Sequence, residues 1–172
     1  MTKLITPEFR GSFVTVMTPK AFSADHAAKY SIVVALPKED QFFKDLDKAM
    51  NDAAMEKWGE IPKKLKTFLK DGDKEDEKYD WAGKTVFTAS NKSQPGIVVR
   101  TEQGLVEPMR DEDIYSGAFY RASVRPYAYE YNKTKGVAIS LDNVMKTRDG
   151  EKFASRTKAQ EDFADFVEGD WD

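Results

Sequence analysis

The sequence predicts a mainly β protein: a small barrel of short strands, interrupted by one helical insertion and followed by a disordered acidic C-terminal tail. Three observations support this prediction. Runs of β-branched and aromatic residues of strand length alternate with turn-forming residues along most of the chain. One segment, Glu39 to Trp58, instead has its apolar residues three and four positions apart, as in an amphipathic helix. The last twelve residues contain six acids and no base.

The composition narrows the possible classes of protein. The 172 residues, 40% of them hydrophobic, are enough to bury a core without disulfides or structural metals. The chain has no cysteine and one histidine, His26. These counts exclude a disulfide framework, a thiolate zinc site and a cysteine nucleophile, and we predict neither a metal nor a cofactor. The run from Ile32 to Leu36 is far shorter than a membrane span, and Met1 to Arg10 lacks an apolar signal core, so no membrane partner is expected.

The first half of the chain contains two predicted strands and the helical insertion. Ser12 to Thr18 is rich in β-branched residues, and Tyr30 to Leu36 is an almost continuous apolar strand. The amphipathic helix follows and is expected to stop at Gly59. Pro62 is placed to open a second short helix that ends at Leu69. The predicted helical insertion therefore covers residues 39–69.

The second half returns to strands after an acidic segment. Asp71 to Asp80 has no aliphatic residue and lacks the ligand spacing of an EF-hand, so it is predicted to be an exposed loop. Lys84 to Ser90 and Ile97 to Thr101 are strands around a turn-rich connector. Gly117 to Tyr131 and Val137 to Val144 form a predicted hairpin. The count fits a five-stranded OB-type barrel with a helix packed against it.

The charge is distributed unevenly between the body and the tail. The net charge is −3, from 27 Lys and Arg against 30 Asp and Glu. Without the six acids of Glu161 to Asp172, 27 bases face 24 acids, so the rest of the chain is +3. The tail is either a solvated terminus or an acidic-aromatic docking peptide. The residues predicted to bind a partner are Asp162, Phe163, Asp165, Phe166, Asp170, Trp171 and Asp172.

The long strand from Gly117 to Tyr131 carries the predicted binding face. Alternate side chains of a strand point to opposite faces. One face is small and apolar, which suits the core: Ala118, Tyr120, Ala122, Val124 and Ala128. The other face combines cations with rings: Phe119, Arg121, Ser123, Arg125, Tyr127, Tyr129 and Tyr131.

Rings and cations on one strand face suit single-stranded nucleic acid, because unstacked bases stack on rings and phosphates contact basic side chains. The alternative interpretation is a half-buried sheet face, with packed tyrosines and arginines at the rim. The predicted DNA-binding residues are Phe119, Arg121, Arg125, Tyr127, Tyr129 and Tyr131, together with Lys20, Tyr30, Lys92 and Arg100.

Motifs for catalysis are missing from the sequence. It has no Walker-type phosphate loop, dinucleotide fingerprint or nucleophile elbow, so we predict a protein that is not an enzyme. Two other functions stay open at this stage. One is a protein-interaction module that uses the same tyrosine-rich face, and the other is a metal-dependent nuclease that uses Asp and Glu residues.

The segment from Ile114 to Gly150 resembles the C-terminal core of a family of phage single-stranded DNA-binding proteins with an OB fold. That family shows an S-G-x-x-x-R-x-S-V-R-P-Y-A-Y strand, a G-V-x-x-x-L-x-N-V strand and an R-D-G turn. The matching residues are Ser116-Gly117, Arg121, Ser123 to Tyr129, Gly136-Val137, Leu141, Asn143-Val144 and Arg148 to Gly150. Ala89 to Gly96, with the sequence ASNKSQPG, resembles a further family segment.

The resemblance implies a protein that coats and protects single strands during phage DNA replication, recombination or repair, in the cytoplasm of the infected bacterial host. It also implies an acidic tail that recruits phage or host replication and recombination proteins and competes with DNA. The expected organisation is a binding domain over residues 1–160 and a tail over residues 161–172.

Overall fold

The computed structural model describes residues 2–21, 27–75 and 79–153. The predicted tail at residues 161–172 lies outside them. In chain order the helix and strands are β1 (Leu4–Ile5), β2 (Phe9–Arg10), β3 (Ser12–Lys20), β4 (Lys29–Pro37), α1 (Gln41–Trp58), β5 (Lys66–Thr67), β6 (Lys70–Asp71), β7 (Lys84–Asn91), β8 (Gly96–Thr101), β9 (Gly104–Val106), β10 (Phe119–Tyr131) and β11 (Thr134–Arg148). Short 3-10 turns cover Gly72–Lys74 and Asp111–Asp113.

The strands form a mainly β barrel, as predicted. The pairing runs from β10 through β11, β7 and β4 to β3. The chain connects the two ends of this path. Strand β2 pairs with β10 at one end and continues past Gly11 into β3 at the other end, which closes the barrel. A Cβ atom at Gly11 would lie 2.6 Å from the ring of Tyr120, so a glycine lets the chain pass that ring. Five principal strands, counting β2 and β3 as one bent strand, therefore make up the OB-type barrel.

The inner faces of these strands meet in one core with the inner face of α1. Ile32, Val34 and Leu36 of β4 pack there with Phe87 of β7 and Leu141 of β11. These side chains come from alternate positions of each strand, as expected of a half-buried sheet. Each fully buried leucine, isoleucine or phenylalanine contributes about 1.5–3 kcal/mol to folding through the hydrophobic effect.

Helix α1 forms where the apolar spacing predicts it. The Asp40 side chain accepts a hydrogen bond from the Phe42 amide at 2.9 Å, which satisfies one of the free N–H groups at the helix start. Gly59 ends the helix in the left-handed conformation, with φ of 72°. Phe42, Leu46 and Met50 are buried in the core, and the helix packs mainly on β10. None of the helices in the described ranges is long and apolar enough to cross a membrane.

The second predicted helix, Pro62 to Leu69, is wrong. The segment is extended, with β5 beside Gly136–Val137 of β11 and β6 beside Thr85–Val86 of β7. An isolated helix of eight residues is marginal in water. Pairing with two barrel strands satisfies backbone groups and buries part of Leu65 against the core. Of the predicted insertion over residues 39–69, α1 is thus the helical part.

The acidic segment after β6 has a specific structure in its described residues. The Lys38 ammonium lies 2.7 Å from an Asp71 carboxylate oxygen and 2.6 Å from one of Asp73. These hydrogen bonds from Lys38 lower the pKa of both carboxyl groups. Asp73 also accepts a hydrogen bond from the Gly83 amide at 2.7 Å. These two acids therefore serve to hold the loop against the start of β7.

Candidate nucleic-acid interface

The two faces of β10 differ as the alternation predicts. Ala118, Tyr120, Ala122 and Val124 are buried in the core. Arg121 is exposed on the opposite face, and Phe119, Arg125, Tyr127 and Tyr129 are partly exposed there, with Tyr131 exposed at the tip. Ser123 is the exception on this outer face, because it is buried. The strand has 13 residues and spans about 40 Å, so the two ends of the face have different surroundings.

The tyrosines occupy the end of the face near the hairpin tip. A two-residue turn at Asn132 and Lys133, both with positive φ, joins β10 to β11. Tyr131, Tyr129 and Tyr127 stand opposite Thr134, Gly136 and Ala138 of β11, respectively. All three partners are small. Small cross-strand neighbours leave room for the rings to lie across the sheet instead of standing upright between bulky side chains.

Tyr129 is held by two packing contacts. A Cβ atom on Gly136 would lie 2.6 Å from the Tyr129 hydroxyl oxygen, so the ring packs directly over the glycine backbone. The Phe68 ring also stacks with that of Tyr129, with ring centroids 6.3 Å apart and an interplanar angle of 17°. Tyr127 completes the group, with its centroid 6.4 Å from that of Tyr129. Burial, and then the neighbouring Tyr127, raise the pKa of Tyr129 above the usual value for a phenol.

Phe68 and its neighbours are candidate binding residues that the sequence prediction did not include. They belong to the extended segment 61–70, with the sequence IPKKLKTFLK, which contains four lysines and no acid. Lys63, Lys64, Lys66 and Lys70 are all exposed, and none forms an ion pair with another described residue. The Lys66 ammonium lies 5.2 Å from the Phe68 ring centroid. The sequence signal that could have identified these residues is a run of lysines that contains an aromatic residue and no acid.

We call this group the ring–lysine surface. Its members are Tyr127, Tyr129, Phe68, Lys63, Lys64, Lys66 and Lys70. The ring centroid of Tyr129 lies 6.3 Å from that of Phe68 and 6.4 Å from that of Tyr127. The four lysines of the extended segment have no carboxylate partner in the described structure. Strand β5 holds the segment in place through its pairing with Gly136 and Val137. The surface offers flat apolar faces and positive charge together.

The two predicted arginines lie further along β10 than the rings, and both already have partners. The Arg121 Nε donates to the Thr6 carbonyl at 2.9 Å, which uses one of its five N–H donors. The Arg125 Nε lies 2.5 Å from the Asp142 carboxylate. Asp142 lies at a register shift in the pairing of β10 with β11, and this shift lets its side chain reach Arg125 on the neighbouring strand. Asp142 offsets the charge that Arg125 presents to a phosphate.

Replacement of Asp142 by asparagine should therefore strengthen binding to single strands. The variant removes the competing negative charge but keeps the size and hydrogen-bonding capacity of the side chain. We expect tighter binding at low salt, with a slope of log affinity against log salt steeper by up to about one phosphate contact. A titration of wild type and Asp142→Asn over a salt series measures both quantities. Unchanged or weaker binding would mean that Arg125 does not contact DNA.

The remaining predicted residues are spread over other parts of the molecule. Phe119 lies at the far end of β10, where the Arg148 guanidinium covers its ring at 3.9 Å. Arg100 is exposed on β8 near Glu8, and Lys92 is exposed in the turn between β7 and β8. Tyr30 shares the side of β4 that carries Ile32 and Val34, which faces the core. Lys20 lines a cavity on the outer face of β3, β4 and β7. The structure thus brings Tyr127 and Tyr129 together and leaves these five outside the ring–lysine surface.

Metal ligands are not grouped in the described part of the molecule. No set of three or more histidine, aspartate or glutamate side chains there is arranged to hold a metal ion. The partner-binding residues predicted in the tail, from Asp162 to Asp172, lie outside the described residues.

A small β barrel that carries stacked rings on one outer surface, beside lysines without an ion-pair partner among the described residues, has the architecture of single-strand-binding proteins. The comparison with protein families agrees. The chain belongs to the family described as the ssDNA-binding protein of Enterobacter phage Enc34, whose model matches residues 2–171. This is a family of DNA-binding proteins and not of enzymes, in agreement with the sequence prediction.

Solved structures show the same fold. The single-stranded DNA-binding protein of bacteriophage Enc34 in complex with ssDNA is 23% identical and covers 88% of this chain and 89% of its own, with a TM-score of 0.74. A second structure of the single-stranded DNA-binding protein from bacteriophage Enc34 is 22% identical and covers 94% of this chain and 89% of its own, with a TM-score of 0.73. The gp2.5 single-stranded DNA-binding protein of bacteriophage T7 is 15% identical and covers 98% and 96%, with a TM-score of 0.58. A search of curated proteins found no match.

Proposed function

We propose that this protein binds single-stranded DNA without sequence specificity, through the ring–lysine surface. The observation that carries the proposal is the stacked pair Phe68 and Tyr129, flanked by Tyr127 and by lysines that no described acid neutralises. Its relative from bacteriophage Enc34 is described in complex with ssDNA. Family membership and site chemistry support the same ligand.

The chemistry of the surface explains the expected lack of sequence preference. A base that has left its stack can lie on an aromatic ring, and each such contact is worth about 1–3 kcal/mol whatever the base. Lysines 63, 64, 66 and 70 contact phosphates, which are the same in every sequence. Duplex DNA hides the faces of its bases, so the rings gain nothing from it. Single strands should bind more tightly than duplexes of the same length.

A salt-resolved comparison of single-stranded and duplex oligonucleotides tests the proposal. We expect a clear preference for the single strand and a linear fall of log affinity with log salt for both ligands. Equal affinity for the two forms would contradict the role of the rings. The surface could instead serve as a protein-interaction module. Aromatic contacts that bury little charge depend weakly on salt, so binding of a protein ligand with a flat salt response, and no binding of DNA, would favour that function.

Coating of single strands during phage replication, recombination or repair is the biological role that we propose for this binding. The place of action would be the cytoplasm of an infected bacterium. Both proposals are based on membership of a phage protein family and on the proposed DNA ligand, and neither requires a cofactor.

We propose further that the acidic tail competes with DNA and binds replication or recombination proteins. Its sequence, EDFADFVEGDWD, is anionic, while the rest of the chain is +3. A tethered anionic segment has a high effective concentration near a basic surface. Phe163, Phe166 and Trp171 are rings that suit the same apolar contacts as bases.

Deletion of residues 161–172 should therefore tighten single-strand binding, most strongly at low salt, where screening is weakest. The deletion should also abolish binding to partner proteins, while thermal unfolding stays cooperative. Anisotropy titrations at two salt concentrations, pull-downs with phage and host replication proteins, and a thermal melt measure the three outcomes. Weaker DNA binding, or a loss of cooperative unfolding, would show that the tail acts differently.

A further inference from the structure

A shallow apolar depression of about 300 Å³ lies on the outer side of the sheet where β1, β10, β11 and β8 run next to one another. Ile5, Val98 and Met145 supply its apolar side chains. Ile5 is 55% exposed, and the other two are half-buried. The depression shares no lining residue with the ring–lysine surface.

An exposed leucine stands beside this depression. Strand β9 pairs with β8 and with no other described strand, so it projects from the barrel. Leu105 of β9 lies directly opposite Arg100 of β8, which shares its side of the sheet with Val98. Arg100 itself has Glu8 nearby, which offsets its charge. Leu105 is 61% exposed and therefore presents an unburied apolar side chain on the same face as the depression.

The charged residues at the depression and at β9 have opposite signs. Lys3 and Arg121 line the depression, and none of its described lining residues is an acid. Glu107 follows Leu105 by two positions and is exposed. None of these three charged side chains forms an ion pair with another described residue. One face therefore carries a cationic, apolar depression beside an acidic, apolar projection.

We propose that two copies of this chain pair through this face, with Leu105 of each copy in the depression of the other and Glu107 of each copy against Arg121 of the other. The inference does not depend on the proposed DNA function. In a two-fold dimer, if one residue contacts a second residue across the interface, the reverse contact also forms. A projection and a depression that lie side by side on one copy can thus meet their counterparts on the other copy.

The charges favour a second copy as the occupant. The rotation that places Leu105 in the depression of the other copy also brings Glu107 towards Arg121, so the face is complementary to itself. An apolar patch with a charged rim is typical of protein interaction sites. Because the patch is small, we expect a weak dimer that forms as the protein concentration rises.

Sedimentation velocity of the full chain over a concentration series measures this association. We expect Leu105→Asp to weaken the dimer by at least about 30-fold, because it would bury a carboxylate in the apolar part of the depression. Met55→Asp is the matched control, since it adds the same charge at a 48% exposed apolar side chain of α1. This control should associate like the wild type, and thermal melts establish that each variant is folded.

A charge exchange tests the pairing of the two residues. Glu107→Arg alone or Arg121→Glu alone should reduce association, because two like charges would meet at both ends of the reciprocal contact. With both substitutions in one chain, opposite charges face each other again and the net charge equals that of the wild type. We therefore expect the double variant to recover association. Reduced association in both single variants without recovery in the double variant would overturn the two-fold arrangement.

Cross-linking locates the contact directly, because the chain has no cysteine of its own. A mixture of Ile5→Cys and Leu105→Cys chains should give a linked dimer with a short bismaleimide, and a mixture of Ile5→Cys and Met55→Cys chains should not. A wild type that stays monomeric at every concentration, or a dimer that Leu105→Asp leaves intact, would overturn the proposal. A dimer that persists in Leu105→Asp but dissociates when the peptide EDFADFVEGDWD is added would assign the association to the tail instead.

Discussion

Replacement of Tyr127 and Phe68 together by alanine is expected to weaken single-strand binding by about 2–6 kcal/mol, the largest loss we expect from any pair of aromatic residues. Each ring that carries a base contributes about 1–3 kcal/mol. Phe68 is 43% exposed and Tyr127 is partly exposed, so both present a face to solvent. Tyr129 is a poorer choice for this test, because it packs against both Gly136 and Phe68, so its removal would also disturb those contacts.

The measurement is fluorescence anisotropy with a labelled oligonucleotide at one fixed salt concentration, for each single variant and the double variant. The two rings both approach Tyr129, so the double loss can differ from the sum of the single losses. Met109→Ala, at a 92% exposed side chain outside the ring–lysine surface, is the matched control. Folded variants with wild-type affinity would show that DNA binds elsewhere.

The outward face of β10 could be predicted from the sequence because strand alternation follows from backbone geometry alone. Once Ala118, Tyr120, Ala122 and Val124 face the core, the intervening residues must face outward. The same argument could not show which of the outward side chains are free of contacts within the protein and so open to a ligand. Phe119 is covered by Arg148, and Arg125 is paired with Asp142, because of contacts between strands that are distant in sequence or locally out of register.

The segment from residue 61 to residue 70 shows why the local spacing of apolar residues gave a wrong helix prediction. Leu65, Phe68 and Leu69 are spaced three and four apart, which fits one face of a helix. The structure instead buries part of Leu65 and leaves Phe68 and Leu69 exposed on an extended chain. Pairing with β11 and β7 decides the outcome, and no short-range signal encodes those partners. The error concealed half of the ring–lysine surface.

The strained backbone of Phe13 was beyond sequence reasoning for a different reason. A phenylalanine in a run of β-branched residues predicts an ordinary strand position. Its positive φ arises from the register shift between β3 and β4, which depends on how the bent strand pairs on both sides. Sites of this kind violate local preference, and functional sites are where such violations concentrate.

The second large effect is expected from the lysines of the extended segment. Lys64, Lys66 and Lys70 replaced together by glutamine should lower the slope of log affinity against log salt by about 2, since each phosphate contact on a single strand contributes about 0.7. At 0.1 M salt, relative to 1 M, this corresponds to a loss of about 100-fold in affinity. The loss should be the same for different base sequences, because the lost contacts are to phosphates.

The control for this charge change lies on the exposed face of α1, where Lys44, Lys48 and Lys57 form no ion pair with another described residue. Their replacement by glutamine lowers the net charge by three, from −3 to −6, as the first variant does. If binding depended on net charge alone, both variants would lose affinity equally. A local contact predicts a reduced slope in the first variant and a much smaller change in the second. Equal slopes in the two triple variants would show that Lys64, Lys66 and Lys70 do not contact DNA.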